Sequence, residues 1–194
     1  MRTGKERRKM SELIETTLRL MQEEDISNLS VRKITKSLGI TQGVIYYHFK
    51  DIKRLLCYVG ILYLREISLR FNHINLESEE ESLLAYEKFN EEIFNRKDLF
   101  FNLYYGIYRN DILEITKDFY DIYKFELKQE EIDIIEKVGI GKEKYFLKNI
   151  LTNKSDYLIL DKLRESYLYD TTIGIENSRE NYFKEIKNII ARLR

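Results

Sequence analysis

Apolar residues recur along this chain with the period of a helix, and no stretch keeps the strict alternation of a strand. Met10, Leu13, Ile14, Thr17, Leu18 and Met21 form one stripe, which predicts a first helix from Arg8 to Glu23. After a turn from Glu24 to Leu29, Ser30 is placed to cap a short second helix with Val31, Ile34 and Leu38 on its buried face, and Gly39 supplies the left-handed residue that ends it. Thr41 then caps a third helix at once, so that helix, tight turn and helix follow in the order of a helix-turn-helix.

Beyond Asp51, the residues Leu55, Leu56, Val59, Leu62, Tyr63, Ile67 and Phe71 keep one stripe running, so the domain boundary falls inside a helix and not in a flexible linker. Further starts are signalled by Ser78 with Glu81, a capping box ahead of Leu83 and Leu84, by Asp98, and by Asn177 with Glu180. The helix after Asn177 carries Tyr182, Ile186, Ile189, Ile190 and Leu193 on one side. The expected fold is all-α: a three-helix N-terminal domain (residues 1–56) joined through a shared long helix to a C-terminal helical domain (residues 57–194).

Composition sharpens this picture. With 194 residues, 43% of them hydrophobic, the chain can bury a sizeable core. No apolar run is long enough to span a bilayer, and MRTGKERRKM has no apolar segment behind it, so neither a membrane helix nor a signal peptide is expected and the expected location is cytoplasmic. The single cysteine, Cys57, excludes an internal disulfide. There is no proline or tryptophan, alanine occurs only at Ala85 and Ala191, and Ile, Lys, Asn and Tyr are abundant, a bias of AT-rich coding that weakens any inference from tyrosine counts alone.

The net charge of zero hides an asymmetry. Up to Leu56 there are 12 Lys and Arg against 7 Asp and Glu, a surplus of +5, which leaves −5 for the remainder. A basic first third on an acidic remainder is expected where one segment meets a polyanion and the other does not.

The stretch TQGVIYYHFK, residues 41–50, says how it would meet one. If Ile45 and Phe49 face the core with Ile40, the opposite side of the helix presents Gly43 and Tyr47, flanked by Val44 and Tyr46, with Gln42 in the exposed first turn. That face holds an amide able to pair with adenine, an apolar group suited to a thymine methyl, hydroxyls for phosphates and a glycine that admits close backbone approach.

LSVRKITKSLGITQGVIYYHFKDIKRLL, residues 29–56, resembles the DNA-binding domain of the TetR (tetracycline repressor) family, with the elements SVRKI, LGIT, QGVIYYHF and LL in that family's order and spacing. The resemblance covers about residues 8 to 56 and is lost beyond them. It implies a homodimeric transcriptional regulator that binds double-stranded DNA at a palindromic operator through its first three helices and a small-molecule effector in its C-terminal helices. Carried over by position, Arg32 and Gln42 match base-reading residues, Val44, Tyr46, Tyr47 and His48 match groove and phosphate contacts, and Thr41 matches a backbone-contacting cap. Ser30, Lys33 and Gly43 complete the candidate DNA face. The family's lysine after the third helix is Ile52 here, which leaves Lys50 or Lys53 to supply that phosphate contact. The family's glycine after the first helix is Asp25.

Other features are weighed against blander readings. The run Lys5, Arg7, Arg8 and Lys9 reads equally as a disordered solubilising tail or as an arm on phosphates. Two histidines, His48 and His73, with one cysteine argue against a protein-built metal site, and no cofactor is expected. GIGK at 139–142 has no strand before it and reads as an interhelical turn, not a phosphate loop. Adjacent carboxylates such as Glu91 and Glu92 point different ways on a helix, and no catalytic constellation emerges, so an enzyme is not expected.

FFNLYYGIYRN, residues 100–110, followed by Phe119, Tyr120, Tyr123 and Phe125, is the candidate effector site. Phe101, Tyr104, Tyr105, Tyr108, Phe119 and Tyr123 are its expected lining, with Gly106 opening space among them. A lipophilic cation over ring faces, an acyl chain or a planar aromatic would suit it equally. The competing function is a small-molecule sequestering protein with a vestigial helix-turn-helix, which Ile52 favours.

Overall fold

A computed structural model describes residues 2–23, 28–71, 74, 76–125 and 146–193, without the side chains of Ser68, Tyr104 and Lys154. Asp25, His73 and the GIGK turn at 139–142 lie outside the described residues. Among the described residues there are nine α-helices and no strand, as the periodicity predicts: α1 (Gly4–Glu23), α2 (Val31–Ser37), α3 (Gln42–Phe49), α4 (Ile52–Phe71), α5 (Glu79–Asn95), α6 (Lys97–Tyr105), α7 (Ile112–Tyr123), α8 (Lys154–Thr172) and α9 (Ser178–Leu193). A 3-10 turn, Arg109–Asp111, leads into α7. The chain divides into two compact units, one of Met1–Arg65 with Asp98–Lys128, the other of Glu66–Lys97 with Gln129–Arg194.

In the first unit α1 begins at Gly4, earlier than the expected Arg8. The cause is a capping box: the Thr3 hydroxyl accepts the Glu6 backbone N–H at 3.2 Å, while the Glu6 carboxylate accepts the Thr3 backbone N–H at 2.7 Å. The run from Lys5 to Lys9 is therefore helix and not a disordered tail. The predicted stripe is buried from Met10 to Met21. Along α4 the whole stripe from Leu55 to Phe71 is buried. Gly60 on that helix lets α6 pack closely, since a Cβ there would lie 3.8 Å from Leu103 and from the Leu99 carbonyl. Helix α7 buries Ile115, Phe119 and Ile122 and ends at Lys124, whose φ is 53°.

In the second unit the expected capping box opens α5, with Ser78 accepting the Glu81 N–H at 3.1 Å. An aromatic core gathers Phe71, Tyr86, Phe89 and Phe146, with Phe89 and Phe146 centroids 5.2 Å apart. Helices α8 and α9 pack as a hairpin whose turn is admitted by Gly174 at φ 85°. Tyr182 of α9 packs on Phe94 of α5 at 5.0 Å.

Candidate nucleic-acid interface

Local chemistry sets the geometry of the second and third helices. Ser30 sits in extended backbone and its hydroxyl accepts the Lys33 N–H at 3.2 Å, which fixes where α2 starts. At the other end Gly39 takes φ 63°, its N–H donates to the Lys36 carbonyl at 3.3 Å, and the Ile40 N–H donates to the Thr35 carbonyl at 3.0 Å. This pairing closes α2 in a Schellman turn, with glycine where a side chain would be strained. Thr41 has the extended backbone of an N-cap, yet its hydroxyl makes no capping hydrogen bond, so only the backbone part of that expectation is met.

The helix that follows presents the face expected of it. Ile45 and Phe49 are wholly buried, Ile40 is half-buried beside them, and Gln42, Gly43, Tyr46 and Tyr47 are exposed, Tyr47 to 76%. Val44 and His48 are half-buried at the edges of that face. A Cβ on Gly43 would meet only the Thr41 hydroxyl, at 3.9 Å, so the fold itself does not demand glycine there. After α3, Lys50 adopts φ 68° and ψ −50°, a conformation that costs a side-chain-bearing residue about 1–3 kcal/mol. It turns the chain sharply into Asp51, whose Oδ1 accepts the Arg54 N–H at 2.8 Å and so starts α4.

The positive charges of the first third fall into two groups. Lys5, Arg19, Arg32, Lys36, Lys50 and Lys53 are exposed and, among the described residues, paired with no carboxylate. Ser30 is exposed and Lys33 half-buried on the same short helix. The second group is committed elsewhere: Arg7 pairs with Asp121 at 2.9 Å, Arg2 with Asp118, and Arg54 with Glu114 at 3.0 Å and Asp111 at 3.6 Å. Arg8 and Lys9 pair with Glu12 on their own helix. The +5 surplus therefore overstates what is available to a polyanion.

His48 packs edge-on against Tyr47, with centroids 4.9 Å apart. Burial lowers its pKa below the ordinary histidine value; Glu6 opposes this, while Arg2 and Lys9 add to it. The imidazole is thus neutral at physiological pH, one ring nitrogen donating and the other accepting.

The aromatic residues do not all converge. Phe101 packs on Tyr105 at 5.4 Å; Phe119, which is fully buried, packs on Tyr123 at 4.7 Å; and Tyr123 stacks on Phe125 at 5.3 Å. The Tyr104 side chain lies outside the described residues. Tyr108 goes elsewhere: its hydroxyl donates to Asp51 Oδ2 at 2.7 Å, which pushes its pKa up to about 12. Gly106 opens no space, because a Cβ there would run into the Asn102 carbonyl. One ring face is taken by the protein's own cation, Arg65, whose Cζ lies 3.8 Å from the Phe125 centroid. Cys57 is buried, and desolvation raises its thiol to about 11. No group of metal-binding side chains occurs among the described residues, and no described helix is long and apolar enough to cross a membrane.

A capped short helix, a Schellman turn and a third helix that buries one face and exposes hydrogen-bonding groups on the other define a helix-turn-helix DNA-binding domain. Residues 13–59 match the family described as bacterial regulatory proteins, tetR family, and this N-terminal segment is a domain of that family. HTH-type transcriptional regulators of Staphylococcus aureus strains USA300 and COL are each 42% identical to the chain over 55 residues, 28% of this chain and 28% of theirs. The chain thus matches little more than a quarter of the length of these curated relatives. No solved structure matches it.

Proposed function

We propose that the protein is a ligand-responsive transcriptional regulator, a repressor that binds a palindromic operator as a homodimer and is released by a small lipophilic or aromatic effector. The observation that carries the reading is the exposed face of α3, with Gln42, Gly43, Tyr46 and Tyr47 uncovered beside the unpaired cations Arg32, Lys50 and Lys53. Pairing of two copies through α8 and α9 would cover apolar surface that is otherwise exposed, namely Leu158 and Ile159 on α8 and Ile173 and Ile175 beyond its end. Two recognition helices in such a dimer would sit about 34 Å apart, one turn of B-DNA. Effector binding works by favouring a different spacing, and its differential affinity for the two spacings sets how far DNA is released.

Selection of random duplex DNA by the purified protein, followed by titration of the winning sequence at several salt concentrations, tests this. An inverted repeat with a steep salt slope supports the regulator. No enrichment over random DNA would instead favour a sequestering protein, which the apolar Ile52 in place of a phosphate-binding lysine also favours.

On the selected duplex, Gln42→Ala is expected to lose about 1–3 kcal/mol of discrimination at one base pair, whereas Lys53→Ala weakens all sequences alike and lowers the salt slope by about one. Equal losses on specific and random DNA for Gln42→Ala would sink its assignment as a base reader.

His48 makes binding depend on pH. A phosphate beside the ring favours imidazolium, so the complex holds the proton more firmly than the free protein, whose pKa is lowered. Binding then takes up a proton, and affinity rises as pH falls from 8 towards the lowered value of the free ring. His48→Gln should remove this component, and an unchanged pH profile would place His48 away from the phosphates.

A further inference from the structure

Helix α7 and the 3-10 turn before it carry Asp111, Glu114, Asp118 and Asp121, at intervals of three, four and three residues, which put all four carboxylates on one helical face. Each meets a group from the helices of the DNA-binding domain. Asp111 and Glu114 share the Arg54 guanidinium, Asp118 accepts the Tyr58 hydroxyl at 2.6 Å and pairs with Arg2, and Asp121 takes Arg7 in two hydrogen bonds of 2.9 and 3.3 Å. The adjoining face of α7, about a quarter turn round, is apolar and buried through Ile115, Phe119 and Ile122.

A second tie lies at the corner between α3 and α4. Asp51 uses one carboxylate oxygen to cap α4 and the other to accept the Tyr108 hydroxyl, while the Arg54 guanidinium lies 5.3 Å from the Tyr108 ring centroid. Arg54 is buried although both its carboxylate partners are more exposed than it is. A solvated arginine at a DNA-facing helix end would reach outward, whereas this one points back at α7. An isolated exposed ion pair contributes little to stability, but a buried guanidinium shared between two carboxylates and an aromatic ring holds one geometry.

We propose that this acidic face, together with Tyr108, is a clasp that sets the attitude of the α3–α4 corner, with Arg54 and Tyr108 as positioning residues for DNA reading. The proposal rests on the regulator reading above and deepens it. The clasp holds the recognition helix at one orientation before DNA arrives, so that less ordering remains to be done on binding. It also withdraws Arg2, Arg7 and Arg54 from the phosphates, while Arg8 and Lys9 pair with Glu12 on their own helix. A movement of α7 would reach α3 through these bonds without any contact between effector and DNA.

The test uses the full chain and two variants, Asp118→Asn with Asp121→Asn, and separately Tyr108→Phe, which removes one hydroxyl and keeps the Asp51 cap. Backbone hydrogen exchange is followed over residues 42–55, and affinity is measured for the selected duplex and for random DNA. Exchange in that segment should rise about tenfold in both variants with little change in the unfolding midpoint. Discrimination between the selected duplex and random DNA should fall about tenfold in both variants, while random DNA binds as well in Tyr108→Phe and better in Asp118→Asn with Asp121→Asn, where Arg2 and Arg7 lose their carboxylates. Asp121→Glu, which keeps the charge, should behave as wild type. Unchanged exchange in both variants would overturn the clasp, as would equal losses on both DNAs with a fallen midpoint. If the wild type selects no duplex, the regulator reading fails, and the exchange result still decides for or against the clasp.

Discussion

Phe49→Ala is expected to destabilise the protein by about 3–5 kcal/mol and to abolish sequence-specific DNA binding, although no side chain on the outer face of α3 is touched. Phe49 is the last residue of α3 and has no exposed surface. Its ring meets that of Tyr58 edge-on, 5.2 Å between centroids and 76° between planes, and the Tyr58 hydroxyl is anchored on Asp118. Truncation would open a cavity between a short helix and the long one that supports it. A helix of eight residues has too few internal hydrogen bonds to persist without its packing. The midpoint of thermal unfolding should fall by about 10 °C. Phe49→Leu keeps most of the volume and should lose only about 1 kcal/mol while retaining DNA binding. A midpoint for Phe49→Ala within a degree or two of wild type would show that α3 is held by something other than this ring.

The features legible in the sequence were those whose causes are local. The stripes of α1 and α4, the Ser30 cap, the left-handed Gly39 and the Ser78 and Glu81 box each depend on residues within a turn or two, and each appears where the pattern put it. The orientation of α3 belongs with them, since Ile45 and Phe49 leave only one way to bury it. The early start of α1 was legible too: Thr3 and Glu6 have the spacing of a capping box, but no apolar residue follows soon enough to draw attention to it.

What a local pattern does not contain is the destination of the arginines. Arg7 and Asp121 are 114 residues apart and Arg54 and Glu114 are 60 apart, so their pairing follows from tertiary structure alone. Counting charge by segment placed all the basic residues in one pool. The regular spacing of the carboxylates on α7 was the available hint that part of the acidic surplus had a partner within the chain. The aromatic stretch misled for a related reason. Tyr108 lies in it by sequence, but its hydroxyl is directed to the capping carboxylate of α4, a contact 57 residues away along the chain.

Arg164→Met should be nearly as damaging as Phe49→Ala, by a different route. Arg164 and Asp161 are one turn apart on α8, their side chains only 2% and 0% exposed, and they form an ion pair. Removing the guanidinium leaves a carboxylate enclosed by protein, and breaking a buried pair from one side typically costs about 3–5 kcal/mol. The double variant Asp161→Leu with Arg164→Met removes both members of the pair, and its loss should be smaller than the sum of the two single losses, because the substitutions are coupled through the pair they remove. Denaturant unfolding of the wild type, both single variants and the double variant measures this coupling. A double variant as unstable as the sum of the singles would mean that the two charges act on other neighbours more than on each other. The pair also lies on the helix whose exposed Leu158 and Ile159 would meet a second copy in the proposed dimer, so that α8 would serve two purposes. A folded double variant with an unchanged sedimentation coefficient would separate the two roles, since it would remove the charges while keeping whatever assembly the apolar residues support.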